Sequence, residues 1–278
     1  MKNLSLNDNI LNDDSNGGNA DMTENGSIQS IERFFEIIEL LSKNGSMGVT
    51  EIAKATSLNK TTVFRMLSTA GNLGYVCKDD NNEKYKLTLK ILSISARILD
   101  SIDVRSIVRH ELENLAKDCT ETVHFVQREG NNIVYIDKVE SLQNSVRMVS
   151  RIGMRHEMYC TGVGKAILAE MSNDEIKNIW DSSQIERKTE KTIVNFNKFM
   201  EELENVRKFG YAVDNEENEL GVRCVAASCF DYSGKAKYAF SVSAPVSRMD
   251  DQRVEKIAPV VIKTKSDICL ALGYSKRD

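Results

Sequence analysis

The stretch Val49–Thr88, VTEIAKATSLNKTTVFRMLSTAGNLGYVCKDDNNEKYKLT, decides how the rest of the 278-residue chain is read. It opens as a short helix. Thr50 has the side chain of an N-cap, and Ile52 and Ala53 turn inward. Thr56-Ser57-Leu58 breaks that helix, because short hydroxyl side chains compete for backbone groups and favour turns. Asn59 can cap a second helix by accepting from an N–H two or three residues on. There Val63, Leu67 and Ala70 recur at i, i+4 and i+7, an apolar stripe for a core, and Gly71 is expected to end the helix. The other face carries Lys60, Thr61, Thr62, Arg65, Ser68 and Thr69, hydroxyls and cations with no acid among them. Tyr75-Val76-Cys77 and Tyr85-Lys86-Leu87 follow as two strands around a polar tip. The order is helix, turn, helix, wing.

A helix with short donors and one cation on its outer face suits the major groove of DNA. Wing lysines such as Lys84 can reach flanking phosphates. The expected DNA-contacting residues are therefore Lys60, Thr61, Thr62, Arg65, Ser68 and Lys84. From Lys54 to Lys90 there are seven Lys/Arg against three Asp/Glu, a net +4 in a chain whose formal net charge is −4. The basic surface is local, which argues against general coating of nucleic acid. An ordinary solvated helix could also present a Thr/Ser/Lys face. Turn spacing, one-sided charge and the trailing hairpin together point to double-stranded DNA.

Working outward, residues 1–26 are rich in Asn, Asp and Gly, with five acids against Lys2. Such a segment buries too little to offset its ordering entropy, and a disordered tail is expected. Ser27 or Ser30 then opens a helix whose buried stripe is Ile31, Phe34, Phe35, Ile38 and Leu41, closed by Asn44-Gly45. It completes a three-helix core, so that residues 27–89 form one domain. Leu89, Leu92, Ala96 and Leu99 mark a linker helix over 90–102. Its stripe needs a partner, either the same helix of a second copy or its own domain. The remainder, 103–278, starts with an amphipathic helix built on Val104, Ile107, Val108, Leu112 and Leu115. Strands are expected at 123–128, 132–138, 145–149, 211–213, 222–230 and 237–243, and the segment 153–156 reads as loop. Helices are expected at 163–171, 173–180, 196–209 and 250–272. The fold class is α+β: a mostly antiparallel sheet flanked by helices behind a winged helix-turn-helix.

Composition sets outer limits. A hydrophobic content of 41% supports packed cores, and the length suits about two domains. No apolar run approaches the roughly 20 residues that span a bilayer, and the N-terminus has no apolar signal core, so a cytoplasmic protein without membrane contact is expected. The six cysteines (Cys77, Cys119, Cys160, Cys224, Cys229, Cys269) form no C-x-x-C pair and read as reduced and structural. Gly162-Val163-Gly164-Lys165 is not a phosphate-binding loop, since Tyr159 stands where its first glycine belongs and Ala166 replaces the required hydroxyl. His156, Cys160, Cys224 and Cys229 match no standard zinc spacing. Cys160 or Cys224 beside His124 or His156 has no orienting third group for nucleophilic catalysis. No catalytic residue, cofactor or metal is expected.

Four further motifs stand in order: Gly162-x-Gly164-Lys165-Ala166, Phe209-Gly210-Tyr211-Ala212-x-Asp214-x-Glu216, Gly221-Val222-Arg223-Cys224-Val225-Ala226-Ala227 and Ser241-x-Ser243-x-Pro245-x-Ser247-Arg248. With Gly74-Tyr75-Val76 after the second helix, the chain from about Ser27 to Tyr274 resembles the IclR family of bacterial transcription regulators. The resemblance implies a GAF-like effector-binding domain, a linker helix, dimers or tetramers on a palindromic operator, and control by a small organic acid or aromatic compound. Its effector pocket would fall on Met148, Gly162, Val163, Asp214, Cys224, Ser241 and Ser243. Two departures from the family pattern, Glu157-Met158-Tyr159 and Ser228-Cys229, are expected near that pocket.

The residues themselves agree. Gly162 and Gly164 would let a ligand approach the backbone, and the helix that follows offers N–H groups to a carboxylate. Ser241 and Ser243 share one face of a strand, as Cys224 does with Ala226 and Ser228. Asp214 could accept from a ligand hydroxyl. A second reading suits the acidic bulk charge: a small-molecule-binding or catalytic GAF-like domain whose helical head docks protein.

Overall fold

The computed structural model describes residues 28–79, 82–101, 103–141 and 150–275, with 97–101 described through their backbone alone. The expected tail at 1–26, the expected strand at 145–149 and Met148 lie outside them. The chain divides into two compact units after Ser101.

The first unit contains α1 (Gln29–Asn44), α2 (Val49–Ala55), α3 (Lys60–Asn72), β1 (Val76–Lys78), β2 (Tyr85–Leu87) and α4 (Lys90–Ser101). Ile37, Leu41, Ile52, Ala53, Val63, Leu67, Ala70 and Val76 form its core, each large side chain worth about 1.5–3 kcal/mol on burial. The turn between α2 and α3 is made as the sequence suggests. Thr56 donates its hydroxyl to Ile52 O (2.8 Å), Ser57 takes φ +54°, and Asn59 Oδ1 accepts from Thr62 N (2.8 Å). β1 and β2 pair antiparallel, Val76 opposite Leu87.

Several expectations are corrected here. Thr50 lies inside α2, and the helix is capped instead by Glu51, whose carboxylate accepts from Gly48 N (2.7 Å). Ile28 precedes α1 and Ser30 lies inside it, so Ser30 does not cap the helix; Ser27 lies outside the described residues. The buried stripe of α1 is Phe34, Ile37, Ile38 and Leu41, at i, i+3, i+4 and i+7. Ile31 and Phe35 fall at its edge and are 50% and 58% exposed. α3 continues past Gly71 to Asn72. The left-handed turn into β1 is at Gly74 (φ +79°), a conformation that costs glycine little.

The second unit contains α5 (Val104–Cys119), β3 (Thr122–Glu129), β4 (Asn132–Val139), β5 (Arg155–Glu157), α6 (Gly162–Leu168), α7 (Asn173–Asp181), α8 (Phe196–Phe209), β6 (Ala212–Asn215), β7 (Val222–Phe230), β8 (Ala236–Pro245) and α9 (Asp251–Ala271). Among the described residues, six strands form one sheet in the order β5-β4-β3-β8-β7-β6, antiparallel at every pairing. Residues 155–156, read from sequence as loop, belong to β5, with His156 paired to Ile133. Three residues of ladder on a polar background gave no alternation to detect.

Strand periodicity of two divides the sheet between two cores. Val123 and Phe125 of β3, Val225, Ala227 and Cys229 of β7, and Phe240, Val242 and Ala244 of β8 face α5 and α9. Val126, Ala226 and Ala239 face α6, α7 and α8. The polar residues His124, Cys224, Ser241 and Ser243 have the parity of this second face.

Candidate effector cavity and DNA-facing helix

On the α6 side of the sheet lies a cavity of about 300 Å³. Strand register brings its polar side chains together from positions far apart in sequence. Asp214 pairs with Cys224 and Cys224 with Ser243, one row across β6, β7 and β8. Ala226, Ser241 and His124 make the next row. Gly162 and Val163 close the cavity from α6, and Tyr135, Ser150, Met154, His156, Thr161, Asn218, Glu219 and Val222 complete its lining. Gly162, Val163, Asp214, Cys224, Ser241 and Ser243 are thus brought to one place. The departures Glu157-Met158-Tyr159 and Ser228-Cys229 are absent from the lining. Ser228 instead donates to Glu170 Oε1 (2.8 Å), and the Tyr159 hydroxyl donates to Glu186 O (2.9 Å).

The sheet side of the cavity is a hydrogen-bonded relay. Ser241 Oγ lies 3.2 Å from Ser243 Oγ, Ser243 Oγ lies 3.1 Å from His124 Nδ1, and His124 Nε2 meets Ser150 Oγ. Burial lowers the His124 pKa to about 3, and Lys138 and His156 add to the effect. The ring is therefore neutral at pH 7, with one nitrogen donating and one accepting. Tyr135 packs edge-on against His124 (centroids 5.0 Å apart) and His156 (5.6 Å), and burial holds its phenol above the usual range. Burial also raises the Cys224 thiol, which keeps it protonated and a poor nucleophile. Asp214 is pushed up to about 7 by burial and then by the Glu217 charge, with Lys165 opposing. One of its oxygens accepts from Glu217 N (2.8 Å).

The glycines answer to packing. A Cβ on Gly164 would stand 2.2 Å from Met158 O, so this residue is glycine because α6 crosses the chain at Met158, away from any ligand. A Cβ on Gly162 would meet Ala226 Cβ and Asp214 N, each at 3.3 Å. Helix α6 is shorter than expected and ends at Leu168. Thr161 caps it, accepting from Gly164 N (3.2 Å). Lys165, fully buried, donates to Glu202 Oε1 (2.8 Å), Val213 O (2.6 Å) and Glu217. It ties α6 to α8 and β6 behind the cavity wall.

Sequence reasoning missed Tyr135, Ser150, Met154, Thr161, Asn218, Glu219 and Val222, and weighed His124 and His156 only as a base or ligand. His124 had a usable signal: one polar residue within the apolar run Val123–Val126. The others converge only through register and loops.

In the first unit Lys60, Thr61, Arg65 and Ser68 are exposed on α3, and Thr62 is half-buried. Lys60 and Arg65 make no ion pair among the described residues. Lys84 differs, because its ammonium pairs with Glu51 of α2 at 3.2 Å. Lys78 and Lys86 of the wing likewise face Glu83 and Asp79.

A winged three-helix unit with an open cationic helix, carried on one chain with a sheet that walls a polar cavity, defines a ligand-responsive DNA-binding regulator of transcription. Comparison with known proteins gives the family. The model of the bacterial transcriptional regulator IclR C-terminal domain matches residues 96–270, and that of the IclR helix-turn-helix domain matches residues 30–80. The chain belongs to the IclR family. It is 35% identical over 257 residues to the HTH-type transcriptional regulator KdgR of Escherichia coli, covering 92% of this chain and 97% of that one. It is 31% identical over 251 residues to the transcriptional repressor IclR of Escherichia coli, covering 89% and 91%. The crystal structure of Thermotoga maritima IclR superposes with a TM-score of 0.60 at 32% identity, covering 89% of this chain and all of that one. These relatives are named as regulators, which speaks for control of transcription over catalysis.

Proposed function

We propose that this regulator acts in the cytoplasm as a homodimer, or a tetramer of two such dimers, on a palindromic operator, and that a small hydroxylated carboxylate in the cavity changes its operator affinity. Each α3 enters one half-site, with Arg65 on a guanine, Thr61 and Ser68 on base edges or phosphates, and Lys60 and Thr62 on phosphates. Two half-sites one or more helical turns apart match two-fold symmetry. Half or more of the surface of Leu89 and Leu92 is exposed near the start of α4, and a second copy of the chain would cover it.

The observation that carries the ligand reading is the cavity's polar lining, in which hydrogen-bond donors outnumber the two carboxylates, Asp214 and the exposed Glu219. Neutral His124, the hydroxyls of Ser150, Ser241, Ser243 and Tyr135, and the first-turn N–H groups of Gly162 and Val163, which have no partner among the described residues, supply donors for a carboxylate and its hydroxyls. Asp214, with a pKa near 7, holds a proton for a large part of the time and then donates as well. A volume of about 300 Å³ is at the small end for ligand sites. To act as an effector, the ligand binds two arrangements of the dimer unequally.

A thermal-shift screen of small carboxylates tests this, because a ligand of the native state raises its melting temperature by mass action. Hydroxy- or keto-acids of a few carbons are expected to raise Tm, and the matching neutral alcohols to leave it unchanged. A panel in which no carboxylate raises Tm contradicts the assignment.

A further inference from the structure

The outer surface of α3 holds one side chain that its description as hydroxyls and cations leaves out. Phe64 is 53% exposed, while its neighbours Val63 and Leu67 are buried. No other large apolar residue within Lys60–Asn72 is exposed. Phe64 stands four residues after Lys60, three after Thr61 and four before Ser68, so these side chains share one flank of the helix. A phenyl ring there stays hydrated until something apolar covers it. In the major groove every base pair offers donors or acceptors, and among the four bases thymine alone adds a methyl group, at C5.

We propose that Phe64 packs against the C5-methyl of a thymine in each half-site, and so makes thymine part of the preferred operator at that position. The inference rests on the reading of α3 as the groove-facing helix. Arg65 and the hydroxyls of Thr61 and Ser68 recognise hydrogen-bonding edges; Phe64 adds the one apolar mark the groove carries. Single exposed apolar residues are common on protein surfaces. What distinguishes this one is its place among Lys60, Thr61, Arg65 and Ser68 on a helix whose charged groups make no ion pair among the described residues.

The test selects binding sites from random duplex DNA with the full chain as wild type, Phe64→Leu and Phe64→Ala. In the best wild-type site, each thymine is then replaced by deoxyuridine, which keeps the pairing edge and removes the methyl. At one position per half-site, wild type should lose about four-fold in affinity, the value of burying one methyl-sized group. Phe64→Leu keeps an apolar contact and should retain the sensitivity. Phe64→Ala should bind thymine and deoxyuridine equally there, and should select sites with no thymine preference at that position. Melting temperatures of both variants, expected near wild type for a half-exposed side chain, show that each is folded.

Equal sensitivity of wild type and Phe64→Ala at every thymine overturns the proposal, as does a wild type indifferent to deoxyuridine throughout. Arg65→Ala separates this failure from a deeper one. If Arg65→Ala weakens binding while residue 64 has no effect on deoxyuridine sensitivity, only the Phe64 contact is wrong. If Arg65→Ala binds like wild type, α3 is not the reading helix and the Phe64 contact falls with it.

Discussion

The outer face of α3 and the cavity of the second unit use similar side chains in opposite ways. On α3, Thr61 and Ser68 sit beside Lys60 and Arg65 in open water, where cations keep their charge at no cost in desolvation. In the cavity, Ser241 and Ser243 sit beside groups whose charge burial suppresses: His124 at about 3 and Asp214 at about 7. Exposed charge attracts a polyanion at long range and is screened by salt. Buried neutral donors select a small molecule by shape and hydrogen bonding, since an unmatched buried polar group is expensive. On the proposed function, binding at the exposed helix should fall steeply with salt and binding in the cavity should depend on it weakly.

The largest effect separating the two is expected at Arg65. Arg65→Ala should weaken binding to a selected operator by about 5- to 150-fold, the range for one bidentate base contact. Specificity at the contacted base should relax, while the slope of affinity against salt, which follows phosphate contacts, should change little. A wild-type affinity and base preference in Arg65→Ala, measured by anisotropy titration, break the comparison on the reader's side.

Much of the reader was legible in the sequence because its information is local. The stripe of Val63, Leu67 and Ala70 and the cap at Asn59 lie within one helix, and the outward residues follow by default. Boundaries were less legible. Glu51 outcompetes Thr50 as a cap by reaching back to Gly48 N, and Gly71 stays helical because Gly74 does the turning. The sensor was legible through motif resemblance and the parity of Ser241 and Ser243. His124 showed only as a polar residue in an apolar run, and Tyr135 not at all, because they reach the cavity through the β3–β8 and β3–β4 pairings, which a linear chain does not display. Gly164 was assigned a ligand-facing role when its reason is the Met158 backbone 2.2 Å from a would-be Cβ.

A smaller effect sharpens the sensor's side. Folded Asp214 titrates near 7 against an ordinary 3.8. Below pH 4 both states hold the proton and no penalty exists. As pH rises towards and through 7, the unfolded chain ionises first, and the native state loses stability. Asp214→Asn removes that loss. Between pH 5 and 8 the urea midpoint of the variant should therefore rise relative to wild type, by the equivalent of about 3 kcal/mol. A difference independent of pH would mean that Asp214 is solvated like an ordinary carboxylate.

The smallest effect belongs to Lys84. Its pairing with Glu51 at 3.2 Å already engages its charge, and exposed pairs are worth at most about 1 kcal/mol. Lys84→Ala should change operator affinity by less than about five-fold, well short of Arg65→Ala. A loss equal to that of Arg65→Ala would show that the wing lysine leaves Glu51 for a phosphate.

On the proposed function, the polar cavity controls the cationic helix. The most direct test of that control is the operator affinity of the full-length protein with and without the carboxylate that raises its melting temperature, measured beside Ser243→Leu, which fills the cavity. The account predicts a shift of five-fold or more on adding the ligand to wild type, on the scale of ordinary allosteric coupling, and no shift in Ser243→Leu, whose ligand-free binding stays at the level of one of the two wild-type states. An equal response in both proteins would contradict it.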